Sequence, residues 1–480
     1  MFELISRDDI RAMHVAAMEV LERTGILIQH DDALRILREA GATIDEKKKV
    51  ARIPEYLVRE ALKKTPSRHL MKARNPKYNF VIGDGGSYYT NAFGAQYTYD
   101  LETGERRPST LKDLDEFTLL SDYFPTVDYI KPNIIPQDVP DGLKEQTMAL
   151  SMFKNTEKHC SFLAITLEGF RDVIQMAKVF VGGDEEFIKN PMFIDTGLNN
   201  VPPLKYTANI IDVILECAQY KIPFDISTGL LSGASGPATL AGSIVQGIAE
   251  NHAVVVLTEL VGPGTPIMWG SCATILDQRH GTAVYGCPEN GLIHAAFCQM
   301  AHYYGIPYYG ASGISDSKVA DPQAAYENTM NVLLATLAGA DVVHDAVYGI
   351  VETGITASYE QFAISNEICG AIKRIAKGIR VTKETLAVDI IDKVGHDSNH
   401  FTNDDALEFS RKHVPEEYWQ PWITDRTSRP DWEAKGSKDI VQRAKEKAKK
   451  ILETHKVPPL DKDVEAKMKD IIKQRAKKLS

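Results

Sequence analysis

A cluster of polar side chains lies in "VHDAVYGIVETGITASYEQ", residues 343–361. His344, Asp345 and Tyr348 come directly after an apolar run, and Glu352 follows four residues later. Histidine and carboxylate side chains act as acid–base groups, as metal ligands or as hydrogen-bond partners of a polar substrate. The pattern therefore predicts a functional loop where a buried strand opens into a helix.

Two metal sites are compatible with the residue types. Asp225, His344 and Asp345 would serve as ligands or acid–base groups of a metal-dependent hydrolase or lyase. A zinc site would draw on Cys160, Cys272 and a histidine. The six cysteines lie far apart without a C-x-x-C pair, so we otherwise expect buried thiols rather than disulfides.

Aromatic residues are concentrated in two segments. "SYYTNAFGAQYTYD" contains Phe93 and Tyr97, and "HYYGIPYYG" contains four tyrosines. A cavity lined by aromatic faces suits a quaternary ammonium ion, because the ring quadrupole stabilises a cation that cannot donate hydrogen bonds. The alternative interpretation of alternating tyrosines is the aromatic face of a strand.

Short apolar runs that alternate with helical segments would position these groups. The runs begin near residues 127, 160, 191, 222, 266, 306, 341 and 394. Steps of roughly 30 to 50 residues leave room for a helix after each strand, as repeated βα units require. The count predicts an α/β fold, a closed (β/α)₈ barrel, with a doubly wound open sheet as the alternative.

The flanking segments predict a division into three units. Residues 1–125 are predicted to form N-terminal helices and a small sheet packed on the barrel, 126–415 the barrel, and 416–480 a C-terminal helical extension. In such barrels the working residues lie at the C-terminal ends of the strands. Besides the loop of residues 343–361, that rule selects Asp138, Asp195, Asn199, Asp225, Trp269, Cys272, Ser312 and Asp316.

Composition excludes several classes of protein. A net charge of -10 argues against a nucleic-acid binder, which needs a basic surface. No apolar run approaches the roughly 18 to 20 residues that span a bilayer, and the first residues, "MFELISRDDI", are acidic rather than signal-like. We therefore expect a cytoplasmic protein without a membrane partner.

Four separated blocks carry a resemblance to a known family. In chain order they include "VLERTGILIQHDDALRILREAGA", "DLETGERRPSTLKDLDEF", "GASGISDSKVADPQAAYEN" and "WEAKGSKDIVQRAKEKAKKILE". Together they resemble the trimethylamine methyltransferase superfamily. The resemblance implies a (β/α)₈ barrel that moves a methyl group from an amine to the Co(I) of a corrinoid, which a separate protein carries.

One departure from the family pattern concerns the substrate. Archaeal trimethylamine enzymes of this superfamily carry pyrrolysine near the turn that matches Glu352 to Thr356, and this sequence has only standard residues there. The resemblance therefore points to the non-pyrrolysine branch, whose members demethylate glycine betaine, proline betaine, carnitine or γ-butyrobetaine. Glycine betaine is our first expectation. Corrinoid carriers bind cobalt through a D-x-H-x-x-G motif, which is absent here, so we expect the corrinoid on a partner chain.

The same resemblance assigns roles to the candidate residues. A quaternary nitrogen already makes a neutral amine the leaving group, so no general acid is required, and the protein must desolvate and align the substrate. The predicted cage consists of Phe93, Tyr97, Trp269 and Tyr348, with His344 binding a carboxylate, Ile355 as a pocket wall, and Asp225, Asp345 and Glu352 as a polar pocket. The barrel and the C-terminal tail offer surfaces for a homodimer. The competing functions are the metal-dependent hydrolase or lyase and a non-catalytic betaine-binding protein.

Overall fold

A closed barrel of eight parallel strands forms the centre of the computed structural model, which describes residues 3–91, 93–396 and 398–479. The strands are β1 (Tyr88–Asn91), β2 (Tyr129–Ile130), β3 (His159–Phe162), β4 (Ile194–Asn199), β5 (Phe224–Thr228), β6 (Ile267–Ser271), β7 (Tyr308–Ala311) and β8 (Val342–Val347). A long helix follows each strand. The helices are α1 (Leu111–Tyr123), α2 (Lys144–Asn155), α3 (Leu167–Val181), α4 (Ala208–Tyr220), α5 (Leu240–Val261), α6 (Pro288–Tyr304), α7 (Pro322–Ala338) and α8 (Tyr359–Ala376). The predicted (β/α)₈ barrel is confirmed.

The predicted position of one strand is wrong. The predicted run starts near residue 394, but Val394 is the last residue of the helix Val388–Val394. No strand follows in residues 395–396 and 398–401, and Asp397, within the run, lies outside the described residues. The barrel closes instead through β1, which pairs with β8 on one side and with β2 on the other. A barrel strand therefore lies inside the segment predicted as the N-terminal unit, and the division into three units otherwise stays a prediction.

An N-terminal layer covers one side and the bottom of the barrel. Its helices are Arg7–Arg23, Asp31–Ala40 and Glu55–Leu62, and its sheet joins Ile26–Ile28, Thr43–Asp45, Val50–Arg52 and Lys205–Tyr206. The hairpin of His69–Met71 and Phe80–Ile82 packs Met71, Phe80 and Ile82 against the interior side chains Tyr129, Met268 and Val342. This apolar plug closes the N-terminal end of the barrel, so the C-terminal end forms the mouth.

Loops at the mouth carry two small sheets. One joins Tyr97–Tyr99, Arg106–Pro108, Ile350–Val351 and Thr356–Ala357, and the other joins Leu231–Ser232, Thr274–Asp277 and Thr282–Val284. Ser358 caps the start of α8, because its hydroxyl accepts a hydrogen bond from the backbone N–H of Gln361 at 3.2 Å. The mouth loops are therefore tied to regular structure.

The predicted C-terminal extension consists of helices that lie against the barrel. They are Val388–Val394, Asp404–Glu417, Arg429–Ala434, Ile440–Thr454 and Lys462–Leu479. Helix Ile440–Thr454 packs along α8 and α1, and helix Lys462–Leu479 packs along α2 and α3. Shorter elements elsewhere are the helix Asp184–Lys189 and 3₁₀ turns at Pro76–Tyr78, Asp141–Leu143 and Pro191–Phe193.

Helix α5 corrects one expectation about apolar runs. By length and composition it is long and apolar enough to cross a membrane, although 72% of its most apolar window is buried inside the protein. Its apolar character follows from its position, since helices Arg7–Arg23 and Glu55–Leu62 pack over it.

Candidate active site

A small cavity of about 40 Å³ opens at the barrel mouth. It is lined by Phe93, Lys131, Pro132, Ser161, Phe162, Leu163, Gly197, Asn199, Asp225, Cys272, Tyr309 and His344. Most of these side chains come from the C-terminal ends of strands or from the residues directly after them. Five predicted residues therefore meet in one place: Phe93, Asn199, Asp225, Cys272 and His344.

A buried ion pair lies in this cavity. Lys131 Nζ is 3.3 Å from Asp225 Oδ1, and the two side chains are only 5% and 3% exposed. The ammonium also lies over the Tyr309 ring, 4.5 Å from its centroid. Gly197 leaves room for the pair, because a Cβ atom there would lie 2.9 Å from Asp225 Oδ1 and 3.1 Å from Lys131 Nζ.

The Asn91 side chain holds the backbone of Lys131 in place through two hydrogen bonds. The Lys131 N–H donates to Asn91 Oδ1 at 2.5 Å, and Asn91 Nδ2 donates to the Lys131 carbonyl at 2.8 Å. Burial raises the pKa of Asp225 to about 6, although Lys131 opposes the shift. At neutral pH the pair is therefore an ammonium beside a carboxylate.

His344 and Asp345 form a second buried pair beside the first. His344 Nε2 lies 3.0 Å from Asp345 Oδ2, and His344 Nδ1 lies 3.2 Å from Thr90 Oγ1. The imidazole stacks on Tyr309 with 4.7 Å between ring centroids. Burial lowers the pKa of His344 well below its usual value and raises the pKa of Asp345 well above its own. The His344 imidazole is therefore neutral at neutral pH, and burial favours the protonated form of Asp345.

The backbone at Asp345 is strained. Its φ of 61° lies in the left-handed region, within a register irregularity between Val343 and Val347 of β8. Non-glycine residues rarely adopt that conformation, and strain of this kind concentrates at functional sites. Asp345 Oδ1 is buried and has no hydrogen-bond partner, so the carboxyl group has unused hydrogen-bonding capacity next to the cavity wall.

The structure does not bring Trp269 to the cavity, so the prediction of Trp269 in an aromatic cage is wrong. Its side chain is fully buried between the barrel and the helices, where it contacts His252, Phe297 and Tyr304. Successive residues of a strand face opposite sides of the sheet. Because Met268 packs inside the barrel, its neighbour Trp269 faces outward.

Tyr97 and Glu352 are engaged with Arg106 above the mouth. The Arg106 guanidinium lies 3.8 Å from the centroid of the Tyr97 ring. Glu352 Oε2 accepts hydrogen bonds from Arg106 Nη2 at 3.0 Å and from Thr356 Oγ1 at 2.9 Å. One face of the Tyr97 ring already holds a cation, and the Glu352 carboxylate stabilises the loop rather than lining the cavity.

Two further predicted residues lie outside the cavity lining. Tyr348 is buried, and Ile355 is 46% exposed. The Ile355 carbonyl accepts hydrogen bonds from the backbone N–H groups of Gln96 and Tyr97, at 3.1 Å each. The structure therefore places both in the loop that frames the mouth.

Several carboxylates selected by the strand-end rule are held by structural contacts. Asp195 Oδ1 is 3.1 Å from His159 Nε2, inside the barrel. Asp138 accepts a hydrogen bond from the N–H of Leu111 at the start of α1, at 2.9 Å, and Asp316 accepts one from the N–H of Gly286, at 2.8 Å. These groups shape the loops. Ser312 is buried at the end of β7.

All six cysteines are free thiols. Within residues 3–91, 93–396 and 398–479, no three His, Cys, Asp or Glu side chains are arranged to hold a metal ion.

Lys131 was not among the candidates from the sequence, and Tyr309 was included only as one of the four tyrosines of "HYYGIPYYG", without a place in the predicted cage. The rule selected polar residues after apolar runs, whereas Lys131 lies within the run "VDYIKPNI" and Tyr309 within "IPYYGAS". The available signal was the period of two in a strand, which places Tyr129 and Lys131 on the same inward face.

Comparison with known proteins gives consistent matches along the whole chain. The sequence model of the family described as Trimethylamine methyltransferase (MTTB) matches residues 1–480. A trimethylamine methyltransferase of Methanosarcina barkeri is 37% identical over 476 residues, which cover 98% of this chain and 94% of the relative. A glycine betaine methyltransferase of Desulfitobacterium hafniense is 32% identical over 484 residues, covering 100% of this chain and 98% of the relative.

One solved structure shares the fold. The crystal structure of the Methanosarcina barkeri monomethylamine methyltransferase superposes with a TM-score of 0.50 at 11% sequence identity, and the match covers 93% of each chain.

Proposed function

Since this chain belongs to the trimethylamine methyltransferase family, we propose that it demethylates a quaternary amine that also carries a carboxylate. Glycine betaine is the first candidate. The methyl group passes to the Co(I) of a corrinoid that a partner protein presents at the barrel mouth. The corrinoid supplies the nucleophile, and this chain binds, desolvates and orients the amine.

The observation that carries this proposal is the buried pair of Lys131 and Asp225. A betaine is a zwitterion, and the cavity offers one ammonium and one carboxylate at 3.3 Å from each other. We place the substrate carboxylate at Lys131 Nζ, beside the His344 imidazole, whose two ring nitrogens already contact Asp345 and Thr90. We place the trimethylammonium group beside Asp225 and the aromatic rings of Tyr309 and Phe93.

The two opposite charges of Lys131 and Asp225 favour a zwitterionic substrate over a simple cation. A substrate with both charges replaces the interaction that each protein charge loses when the pair is separated. A protonated trimethylamine offers nothing to the buried Lys131 ammonium, which would remain unpaired in a dry cavity at a cost of several kcal/mol.

The leaving group also agrees with the neutral imidazole of His344 and with the burial that favours the protonated form of Asp345. Breaking the C–N bond of a quaternary amine leaves the electron pair on nitrogen and gives a neutral tertiary amine. No proton has to be delivered at that moment, so a positioning role is sufficient for both side chains.

Trimethylamine is the second candidate substrate. The relatives named as trimethylamine methyltransferases are 34% to 37% identical to this chain, against 32% for the relative named as a glycine betaine methyltransferase. The turn from Glu352 to Thr356 differs from the pyrrolysine pattern of archaeal trimethylamine enzymes, and this difference favours the betaine. The hydrolase hypothesis is weaker, because Lys131 Nζ lies 3.3 Å from Asp225 Oδ1, where a positive charge opposes the binding of a metal cation.

Six free thiols also suit a reducing compartment, and we propose that the enzyme acts in the cytoplasm.

An anaerobic assay with free cob(I)alamin tests the proposal. The loss of the near-ultraviolet Co(I) absorption is followed with glycine betaine, proline betaine, carnitine, γ-butyrobetaine and trimethylamine as separate methyl donors. We expect turnover with one of the betaines. Turnover with trimethylamine alone would contradict the substrate class, and no turnover with any donor, even after addition of the cognate corrinoid protein, would contradict methyl transfer.

A further inference from the structure

A basic groove lies in the C-terminal extension, between the segment 422–438 and helix Ile440–Thr454. It has a volume of about 470 Å³. We define it by its six basic lining residues, Arg426, Lys435, Lys438, Arg443, Lys447 and Lys450. Its acidic lining residues are Asp425 and Glu446. Positive charges thus exceed negative ones by four in the groove, although the net charge of the whole chain is -10.

Most of this positive charge is not neutralised within the protein. Glu446 Oε1 lies 2.5 Å from Lys438 Nζ. Asp425 Oδ1 accepts hydrogen bonds from the backbone N–H and the hydroxyl of Thr427, both at 2.7 Å. In the described part of the chain, three exposed lysines of the groove have no carboxylate at ion-pair distance: Lys435, Lys447 and Lys450. The groove therefore presents positive charge to the solvent.

Two half-buried tryptophans line the same groove. The Lys447 ammonium lies 5.6 Å from the ring centroid of Trp422. Trp432 is held in place, because its indole N–H donates to the Lys438 carbonyl at 3.0 Å. Tryptophan and arginine are enriched where proteins bind other proteins. The groove thus combines apolar anchors with unpaired cations, which suits a protein segment better than an inorganic ion.

The spacing of the cations indicates an extended ligand. Arg443, Lys447 and Lys450 are four and three residues apart on helix Ile440–Thr454, so they share one face of the helix. The first and the last of them are about 10 Å apart along the helix axis. A site for a single phosphate would gather its cations around one point. Cations in a row match successive carboxylates of an acidic segment instead.

The helix that forms one wall of the groove also contacts the barrel mouth. Lys449 Nζ lies 2.5 Å from Glu102 Oε2, and Lys445 Nζ donates to the Glu102 carbonyl at 3.3 Å. Glu102 lies in the turn between Tyr97–Tyr99 and Arg106–Pro108, two strands of a small sheet at the mouth. A protein seated on the mouth is therefore close to the groove.

We propose that the basic groove binds an acidic segment of the corrinoid carrier while the corrinoid itself is presented at the mouth. This inference rests on the proposed function, which requires such a carrier. The strongly negative enzyme repels an acidic protein over most of its surface. A local basic groove reverses that repulsion beside the mouth, so it steers the carrier to the productive side and raises the association rate.

Binding kinetics of the whole enzyme and its cognate corrinoid protein, measured by biolayer interferometry without a methyl donor, test the proposal. The combined substitutions Lys435→Glu, Lys447→Glu and Lys450→Glu should lower the association rate at least ~10-fold at low salt and make it less dependent on salt. The corresponding triple change to glutamine should have a smaller effect in the same direction. Both variants change only exposed side chains, and circular dichroism should confirm the fold.

The matched control is Lys47→Glu with Lys48→Glu and Lys64→Glu, which gives the same net charge. These three lysines are exposed on the N-terminal layer, and their replacement should leave the association rate close to that of the wild type. Unchanged binding in the groove variant, or an equal loss in the control, would overturn the proposal.

Free cob(I)alamin separates this inference from the proposed function. Because free cob(I)alamin has no acidic protein segment, the wild type and the groove variant should methylate it at equal rates. A groove variant that is slower with free cob(I)alamin as well would overturn the docking role. No methylation by the wild type, even with its carrier, would count against the proposed function, whereas the binding kinetics report docking alone.

Discussion

Replacing Lys131 by methionine separates the role of the ion pair in stability from its role in substrate binding. At 3.3 Å and an effective dielectric constant of 20, the attraction between Lys131 and Asp225 is about 5 kcal/mol. The loss of stability is smaller, because Asp225 can take up a proton. In the wild type, the raised Asp225 pKa of about 6 lowers the free energy of unfolding at pH 7 by about 3 kcal/mol relative to an aspartate of ordinary pKa. An Asp225 that stays fully protonated at pH 7 lowers it by about 4 kcal/mol. Lys131→Met should therefore fold and lose about 1 kcal/mol.

The effect on binding is larger and specific to one charge of the substrate. A hydrogen bond to a charged group contributes about 1.5 to 3 kcal/mol. The Kd of glycine betaine, measured by calorimetry, should rise roughly 10- to 150-fold. Tetramethylammonium has no carboxylate. Its Kd should not rise, because Lys131→Met also removes the ammonium that a simple cation would leave unpaired.

Lys158→Met is the matched control. Lys158 is also buried, and its ammonium donates to the carbonyls of Ser121, Phe124 and Val127 at 2.7 to 2.8 Å, away from the cavity. Its replacement should lower the free energy of unfolding without changing the ratio of the two Kd values. An equal loss for both ligands in Lys131→Met, or no loss for the betaine, would refute the placement of the carboxylate.

Three further predictions concern neighbouring residues. Burial raises the pKa of Asp225 from 3.8 to about 6, so the stability of the fold with protonated Asp225 is lost as pH rises through that window. Relative to Asp225→Asn, the wild-type free energy of unfolding should fall by about 2 kcal/mol between pH 4 and pH 7 in urea titrations. Trp269→Phe should lower stability by about 1 to 3 kcal/mol and leave the Kd of the betaine unchanged, since the side chain packs behind the barrel; a raised Kd would restore Trp269 to the site. In a double-mutant cycle, Tyr97→Leu and Arg106→Leu should show a coupling of about 0.5 to 1 kcal/mol in stability, whereas a coupling near zero would show that the ring is free for another cation.

The architecture could largely be predicted from the sequence, because each βα unit repeats an apolar run and a helix. The exception was β1, which is four residues long and sits in a segment dominated by tyrosine and glycine. The prediction of a strand from residue 394 was wrong because Val394, the first apolar residue of the run, ends the helix Val388–Val394 instead of beginning a strand.

The site was predictable only in part. Asp225 and His344 were selected as polar residues near the ends of apolar runs, and Phe93 was selected by its aromatic segment and the family resemblance; the structure brings all three to the cavity. Lys131 was missed because a buried lysine inside a strand has no sequence signal other than its register with Tyr129. The roles of Trp269 and Tyr97 depended on which way a side chain points, and composition does not report that direction.

Product analysis tests the central claim most directly. The enzyme, its cognate corrinoid protein in the Co(I) state and glycine betaine labelled with ¹³C in its N-methyl groups are mixed without oxygen, and the products are followed by ¹³C NMR. We predict equal amounts of labelled methyl bound to cobalt and of dimethylglycine. Betaine that remains intact, or is cleaved without methylation of cobalt, would contradict the account.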